Sequence, residues 1–233
     1  RGGLEVGMGR NVRELIAKRA AREIKDGMIV NLGIGIPSLV PNYISSNMNV
    51  MFHAENGILG MGPTPYKGNE DENLCNAAGY PVTTIKGASF FDSSLAFGMI
   101  RKGKLDITIL GSLQVSEKGD LANWIVPGKR VPGMGGAMEL SQKAKKVIVV
   151  MNHTNRNGES KIVRTCSLPI TTPQCVDMII TEMGVMEIDD NGIMLTEVMP
   201  NYSIEQVIKC TDANLEISPH LKVVMSERED VHD

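Results

Sequence analysis

Short apolar runs that alternate with helix-like stretches are the feature that most constrains how this 233-residue chain can fold. The runs at residues 28–32 (MIVNL), 105–110 (LDITIL) and 146–151 (KVIVVM) have the length of buried strands, and the first two lead directly into a glycine. Alternation of such strands with helices predicts an α/β domain with a mostly parallel sheet flanked by helices. Further strands are predicted at residues 50–52, 179–180, 185–188 and 193–198.

Capping and turn residues predict where several elements begin and end. Residues 11–26 have the apolar spacing of a helix, with Asn11 as its N-cap and Gly27 as its end. Pro37 is predicted to begin a second helix, because proline suits the first helical turn. Residues 189–192 (DDNG) predict a hairpin, since Asn-Gly favours the tight primed turns.

The length of the chain suits one domain, which we expect to span residues 1–233. Residues 62–80 are rich in Gly, Pro, Asn and acidic residues and have no periodicity, so we predict a long loop there. Loops of this length in a compact domain are usually functional or mobile. Residues 226–233 (SEREDVHD) are expected to form a flexible, solvated tail.

Composition and charge argue against several classes of partner. The formal net charge is -3 and basic residues do not cluster, so we expect no nucleic acid partner. Apolar runs stay well below the ~20 residues that span a bilayer, and the first residues lack a signal pattern. We therefore expect no membrane association and a cytoplasmic location. The 4 cysteines are widely spaced, which predicts buried or half-buried thiols without a disulfide framework or bound metal.

Glu55, in the run HAENGILG at residues 53–60, is a candidate for chemistry. It follows a predicted strand, and open parallel sheets bind ligands beyond the carboxyl ends of their strands. Taken alone, a glutamate that ends a strand is more often a solvated charge. His53 would share a strand face with Glu55 and could tune the carboxylate, although a packed or solvated histidine is the commoner case.

Two glycine pairs are candidates for binding negative charge. Gly33 and Gly35, in NLGIGIP, begin like a dinucleotide fingerprint but lack its third glycine. An anion cradle at a helix N-terminus fits them better, and a plain tight turn also fits.

Gly135 and Gly136, in GMGGAMEL, precede a helix-like run. Their N–H groups could bind an oxyanion, and a β-to-α loop that needs positive φ explains the two glycines equally well.

Taken together, these segments resemble the β half of the family I coenzyme A transferases, especially the succinyl-CoA:3-oxoacid and acetoacetate types. The resemblance extends from about residue 12 to residue 219. It rests on five ordered motifs, which are DGMIVNLGIGIP, HAENGILGMGP, KGASFFDSS, GDLANWIVPGK and GMGGAMEL. It implies the CoA-transferase fold, which sugar-phosphate isomerases and ligand-sensing domains also use.

The resemblance also implies roles for individual residues. Glu55 matches the covalent catalytic carboxylate, and Asn31, Gly135 and Gly136 match positions near the CoA thioester. The remaining residues that we expect to line the site are Gly33, Gly35, Asn56 and Gly57.

Two positions depart from the relatives. Ala54 stands where the family signature Ser-Glu-Asn-Gly has serine. Tyr80 stands where relatives that act on succinyl-CoA have a lysine near the CoA phosphates, which leaves Lys67 or Lys86 as substitutes.

The expected reaction moves CoA from an acyl-CoA donor to a 3-oxo or short-chain acid through a glutamyl-CoA thioester. CoA thioester would be a substrate, and no permanently bound cofactor is expected. The family's second glycine-rich motif is missing from this chain, so we expect a separate α subunit in an α2β2 assembly. An acyl-CoA hydrolase or a decarboxylating relative on the same scaffold is the runner-up, and a non-catalytic ligand sensor is a third possibility.

Overall fold

A ten-stranded sheet dominates the computed structural model, which describes residues 9–128 and 133–224. In chain order the elements are α1 (Arg10–Ala21), β1 (Ile29–Leu32), a 3₁₀ helix (Ile36–Tyr43), β2 (Met51–Ala54), β3 (Ile58–Met61), β4 (Thr84–Phe90), α2 (Ser93–Arg101), β5 (Ile107–Gly111), β6 (Gln114–Ser116), β7 (Leu121–Ala122), α3 (Ala137–Lys143), β8 (Lys146–Val150), β9 (Ile162–Val163), β10 (Met178–Ile180), β11 (Gly184–Asp189), β12 (Gly192–Val198), α4 (Ile204–Lys209) and β13 (Leu215–Val223).

The large sheet has the strand order β13-β12-β11-β10-β8-β5-β1-β2-β3-β4. Five strands in its centre, from β10 to β2, are parallel to one another. The predicted α/β fold with a mostly parallel sheet is therefore confirmed. Antiparallel pairs extend the sheet on both sides, through β3 and β4 at one edge and through β11 and β12 near the other. Strands β7, β6 and β9 form a separate small sheet.

Apolar side chains alternate across the central strands, so each face of the sheet carries a core layer. Ile107 and Ile109 of β5 pack with α1 and the 3₁₀ helix, while Leu110 packs on the face that α2, α3 and α4 cover. Burial of each such side chain contributes ~1.5–3 kcal/mol, so both layers of helices are held firmly.

The direction of the chain reverses at β1. From β1 the chain runs outward through β2, β3 and β4, and it then returns to place β5 on the other side of β1. Ligand sites of open α/β sheets lie at such a reversal, beyond the carboxyl ends of the strands. The N–H of Gly33 donates to the Ile109 carbonyl over 2.8 Å and closes the base of this crevice.

The first helix differs from its prediction at both ends. Gly9 is the N-cap, so Asn11 lies inside α1, and the prediction of Asn11 as the cap was wrong. Regular helix ends at Ala21 instead of residue 26. Residues 22–24 continue in tighter turns, because their N–H groups donate to carbonyls three residues earlier.

The helix predicted at Pro37 and the hairpin predicted at residues 189–192 are both present, but their local geometry differs from the prediction. A helix does begin beside Pro37, but it is a 3₁₀ helix that contains a second proline, Pro41. Asp189 pairs with Gly192 in the hairpin between β11 and β12. At its tip, only Gly192 has positive φ (128°), so the turn is not of the primed type.

Residues 62–83 connect β3 to β4 without helix or named strand, which confirms the predicted loop. Cys75 in this loop is exposed, so the expectation of buried or half-buried thiols was wrong for this residue, while the other three cysteines are half-buried. The predicted tail at residues 226–233 lies outside the described residues, and the single-domain boundary stays a prediction. Of the helices that the structure describes, none combines the length and apolar character that a membrane crossing requires.

Candidate active site

Glu55 lies directly beyond β2, in a three-residue turn that leads into β3. Ala54 pairs with Ile58 across the turn, and the N–H of Gly57 donates to the Ala54 carbonyl over 3.0 Å. Gly57 has φ 120°, and a side chain there would overlap the carbonyl oxygen of Phe91. The turn therefore requires glycine, and it holds the half-buried Glu55 between two strands.

Asn31 of β1 connects Glu55 to the interior of the sheet. Its side chain is fully buried, and its Nδ2 donates to Glu55 Oε2 over 3.1 Å and to the His53 carbonyl over 3.2 Å. The hydroxyl of Thr108, on β5, donates to Asn31 Oδ1 over 3.3 Å. The structure thus brings together Asn31 and Glu55, two of the residues singled out from the sequence.

His53 is buried on the same strand face as Glu55. Its Nδ1 lies 3.2 Å from Asn31 Nδ2, and within the described residues its Nε2 has no hydrogen-bond partner. Burial lowers the pKa of His53 below its usual 6.5, although the Glu55 carboxylate and the Ala96 carbonyl partly oppose this. His53 is therefore packed rather than solvated, and its ring is neutral at neutral pH.

Gly136 lies beside Oε1 of Glu55, whereas Asn31 donates to the other carboxylate oxygen, Oε2. It is the N-cap of α3, and a Cβ atom added to it would lie 3.4 Å from Glu55 Oε1 and 3.3 Å from the Phe97 ring. Its neighbour Gly135 has φ 57° and open space around the position of a Cβ. Of this glycine pair, Gly136 is the one placed beside the carboxylate, while Gly135 provides the backbone turn that precedes it.

Gly33 and Gly35 lie at the carboxyl end of β1, next to the end of β2. A Cβ on Gly33 would lie 3.2 Å from the Ile109 carbonyl oxygen, so close packing of two strands explains this glycine. Gly35 has φ 90°, and its carbonyl accepts from the Ser38 hydroxyl over 2.7 Å. These contacts fit a tight turn, and the 3₁₀ helix that follows is unlike the α-helix of a dinucleotide site.

The loop at residues 62–83 covers one approach to the site. Nδ2 of Asn56 donates to the Cys75 carbonyl over 2.8 Å, which ties the Glu55 turn to this loop. Between the loop and the 3₁₀ helix lies a cavity of about 470 Å³, lined in part by Gly35, Leu39 and Tyr80. Tyr80 is 61% exposed, and Lys67 and Lys86 are also exposed.

The profile of the coenzyme A transferase family matches residues 13–210. The chain belongs to this family. It is 62% identical over 212 residues to the β subunit of a probable coenzyme A transferase from Bacillus subtilis (strain 168), covering 91% of this chain and 98% of the relative. It is 50% identical over 206 residues to one subunit of the succinyl-CoA:3-ketoacid coenzyme A transferase from Helicobacter pylori (strain ATCC 700392 / 26695), covering 88% and 99%. The resemblance to the β subunits of this family is thereby confirmed, and the protein is a CoA-transferase subunit.

Solved structures support the same fold. An acyl-CoA transferase from Escherichia coli O157:H7, in a thioester complex with CoA, aligns with a TM-score of 0.74 at 23% identity over 96% of this chain and 44% of its own. Glutaconate coenzyme A-transferase from Acidaminococcus fermentans aligns with a TM-score of 0.67 at 18% identity, over 91% of this chain and 88% of its own. The CoA-transferase fold that the motifs implied is therefore confirmed.

Sequence reasoning missed two residues of the candidate site. Thr108 could have been noticed, because it is the polar residue inside the apolar strand β5. Phe97 of α2 lies against Gly136 beside Glu55, and no local pattern separates it from an ordinary core residue. Its place in the site follows from tertiary packing alone.

Proposed function

We propose that Glu55 is the covalent nucleophile of this CoA transferase, acting as a β subunit together with a separate α subunit. One observation carries the proposal. The carboxylate stands at the carboxyl end of β2 with Oε2 held by the amide of Asn31, while Oε1 lies beside Gly136. A solvated strand-end charge would not need a fully buried amide as its partner.

The chemistry explains why a carboxylate is suitable. A Glu55 oxygen attacks the thioester carbonyl of the donor, the C–S bond breaks, and a mixed anhydride and CoA thiolate result. The thiolate then attacks the Glu55 side-chain carbonyl, which expels the donor acid and leaves a glutamyl-CoA thioester. The acceptor carboxylate repeats these steps in reverse, so CoA leaves on the new acyl group and Glu55 is restored. A carboxylate needs no general base to become a nucleophile.

Each attack develops negative charge on a carbonyl oxygen. The Asn31 amide donates toward Glu55 and is suited to stabilise charge on the Glu55 side of the reaction. Backbone N–H groups at Gly135 and Gly136 are suited to the thioester oxygen, because Gly136 lies beside Oε1 of the carboxylate. One such donor typically contributes ~3 kcal/mol to lowering the barrier.

Short-chain or 3-oxo acids are the proposed substrates, with CoA thioester as the donor. One relative is named for succinyl-CoA and 3-ketoacids, and another, 42% identical, is the β subunit of an acetate CoA-transferase from Escherichia coli (strain K12). Ala54 packs in the core layer with Phe52, across the sheet from His53 and Glu55. A serine hydroxyl at this position would therefore not face the carboxylate, and we expect its loss to leave the reaction type unchanged.

An α subunit is the proposed partner, in an α2β2 assembly. The names of the relatives each designate one of the subunits of an enzyme, which implies a second subunit in those enzymes. This chain exposes large apolar side chains near the starts of α2 and α3 and after β1, the elements that carry Phe97, Gly136 and Asn31, and these side chains are Leu95, Met138 and Ile34. A partner that covered them would also keep water away from the anhydride and the thioester.

Borohydride trapping tests the nucleophile directly. The reconstituted α–β pair is incubated with acyl-CoA without an acceptor acid, reduced with borohydride and digested for peptide mapping. We expect reduction of Glu55 to the alcohol, and none in Glu55→Gln. Modification at another residue would overturn the assignment. Free CoA released continuously without acceptor would favour the hydrolase instead, and full activity of this chain alone would contradict the need for an α subunit.

A further inference from the structure

Three buried polar side chains lie side by side inside the sheet and lead to Glu55. They are Thr108 of β5, Asn31 of β1 and His53 of β2, and all three are fully buried. The strand register makes them direct neighbours, because Asn31 pairs with Thr108 on one side and with His53 on the other. Buried polar groups are costly unless they are satisfied, so the direction of each hydrogen bond in this row is constrained.

The row fixes the orientation of the Asn31 amide. The Thr108 hydroxyl lies 3.3 Å from Asn31 Oδ1, and Asn31 Nδ2 lies 3.1 Å from Glu55 Oε2. The opposite orientation would place the amide oxygen against a carboxylate oxygen, which repels it. The NH₂ group must therefore face Glu55 and His53.

The orientation of this amide determines the tautomer of His53. Nδ1 of the ring lies 3.2 Å from the NH₂ group of Asn31, which can donate but cannot accept. A proton on Nδ1 would thus face another donor, so Nδ1 carries the lone pair and Nε2 carries the proton. Among the described residues Nε2 makes no regular hydrogen bond, although the Ala96 carbonyl on α2 lies near the ring and favours its protonated form.

We propose that His53 is a positioning residue for the transferase reaction, whose neutral Nε2–H ring holds the Asn31 amide in the orientation that donates to Glu55. The inference rests on the proposed role of Glu55 as nucleophile. It assigns His53 no contact with substrate, since the ring acts only through Asn31. Protonation of the ring makes Nδ1 a donor, so Nδ1 no longer shares the two hydrogens of the Asn31 NH₂ group with Glu55 Oε2 and the His53 carbonyl, and the Glu55 carboxylate is drawn toward the imidazolium.

The groups that face His53 determine the pH at which this occurs. Glu55 is the charged group that acts on the ring among the described residues, and it favours the protonated form. The other neighbours of the ring do not titrate. They are the Asn31 amide on β1, Leu59 on β3, which pairs with His53, and the Ala96 carbonyl on α2. Burial outweighs the effect of Glu55 and lowers the pKa of His53, so the change falls below pH 6.5.

Three substitutions separate this role from simple packing. In His53→Asn, an amide oxygen can take the position of Nδ1 as an acceptor that does not titrate. In His53→Gln, the amide reaches the position of Nε2 instead, and His53→Leu supplies no acceptor. The readout is the rate constant of Glu55 thioester formation in the α–β complex, measured in single turnovers from pH 5 to pH 8.

At pH 8 we expect His53→Leu and His53→Gln to be slower by about tenfold, the effect of one lost hydrogen bond, and His53→Asn to recover to within about threefold of the natural chain. As the pH falls, the natural chain should lose rate more steeply than His53→Asn. If the rate constants of these two proteins fell identically at low pH, the inference would be overturned. An unchanged rate in His53→Leu would also overturn it. If His53→Leu fails to assemble, the pH profile of His53→Asn decides.

Different results would contradict the role of Glu55 as nucleophile and the role of His53 as positioning residue. If the natural chain is never labelled at Glu55, the proposed function is wrong. If Glu55 is labelled in the natural chain and equally fast in every His53 variant at every pH, the function stands and only the role of His53 is wrong.

Discussion

Gly136 lies against Glu55 so closely that an added methyl group would sit 3.4 Å from Oε1 of the carboxylate. These two residues come from different parts of the fold, the start of α3 and the end of β2. Glycine at 136 is not required by its backbone, because φ is -81°. Because Gly136 has no side chain, space is left beside Oε1. An acyl group that reacts with Glu55 would have to approach through this space.

Gly136→Ala should slow the reaction without unfolding the protein. The methyl group would occupy the space beside Oε1 and press on Phe97, so we expect at least a tenfold slower formation of the glutamyl-CoA thioester. Stability should change by less than about 1 kcal/mol, since the backbone conformation suits alanine. The matched control is Gly135→Ala, which costs ~1 kcal/mol because φ is 57° but places its methyl group in open space. Equal rate losses in both variants would contradict the steric explanation.

Asn31→Ala should remove the hydrogen bond to Glu55 and slow thioester formation by about a hundredfold, the typical effect of one lost oxyanion donor. It should also lower the free energy of unfolding by ~1–3 kcal/mol, because Thr108 and His53 lose a buried partner. Single-turnover labelling and urea unfolding measure the two effects separately. Asn42→Ala, on the exposed surface of the 3₁₀ helix, is the control and should change neither.

Gly57→Ala should be strongly destabilising. The residue has φ 120°, and a methyl group there overlaps the Phe91 carbonyl oxygen, so the turn beneath Glu55 must shift. We expect a loss of about 3 kcal/mol or more in the free energy of unfolding. Gly87→Ala shares a positive φ of 90° but has open space around it, and it should cost only ~1 kcal/mol. Similar losses in both variants would show that backbone strain, rather than overlap, limits this turn.

Acid should destabilise the fold through His153, a second buried histidine. Its ring nitrogens lie 3.0 Å from the Thr181 hydroxyl and 2.9 Å from the Thr211 hydroxyl, and burial lowers its pKa from 6.5 to about 4. Between these values the unfolded chain binds more protons than the folded one, so stability falls as the pH drops. We expect a loss of up to about 3 kcal/mol across this window.

Urea unfolding at several pH values between 7.5 and 4.5 measures this loss. His153→Gln keeps a hydrogen-bonding side chain but cannot titrate. Contributions of other groups, such as the half-buried Glu182, are common to both proteins and cancel in the comparison. A pH dependence that is the same in the variant and in the natural chain would exclude His153 as its source.

Local patterns predicted the buried centre of the fold better than its edges. Strands β1, β5 and β8 are mostly apolar, and they were predicted as buried strands because both of their faces are covered. Strand β4 was missed because its residues (TIKGASF) are mostly exposed, and β13 because Pro219 interrupts it. Edge strands have weak patterns since only pairing with the rest of the sheet stabilises them.

The site was only partly predictable for a similar reason. Glu55 and Asn31 were identified from motifs, but their contact requires β1 and β2 to be neighbours in register. Phe97 reaches the site only because α2 packs against α3, which no local signal specifies. The functional roles of all the predicted site residues stay predictions, and these residues are Asn31, Gly33, Gly35, Glu55, Asn56, Gly57, Gly135 and Gly136.

The reversal of the chain at β1 also sets the order in which the site can be assembled. Asn31 meets Glu55 across 24 residues, but it meets Thr108 only across 77. A chain that emerges from the ribosome N-terminus first has β1 to β4 available before β5 exists. We therefore expect the Glu55 carboxylate to contact the Asn31 amide early in folding, while the amide group can still rotate into the opposite orientation. The arrival of β5 then fixes that orientation, so the second parallel neighbour of β1 completes the row of buried polar side chains behind Glu55.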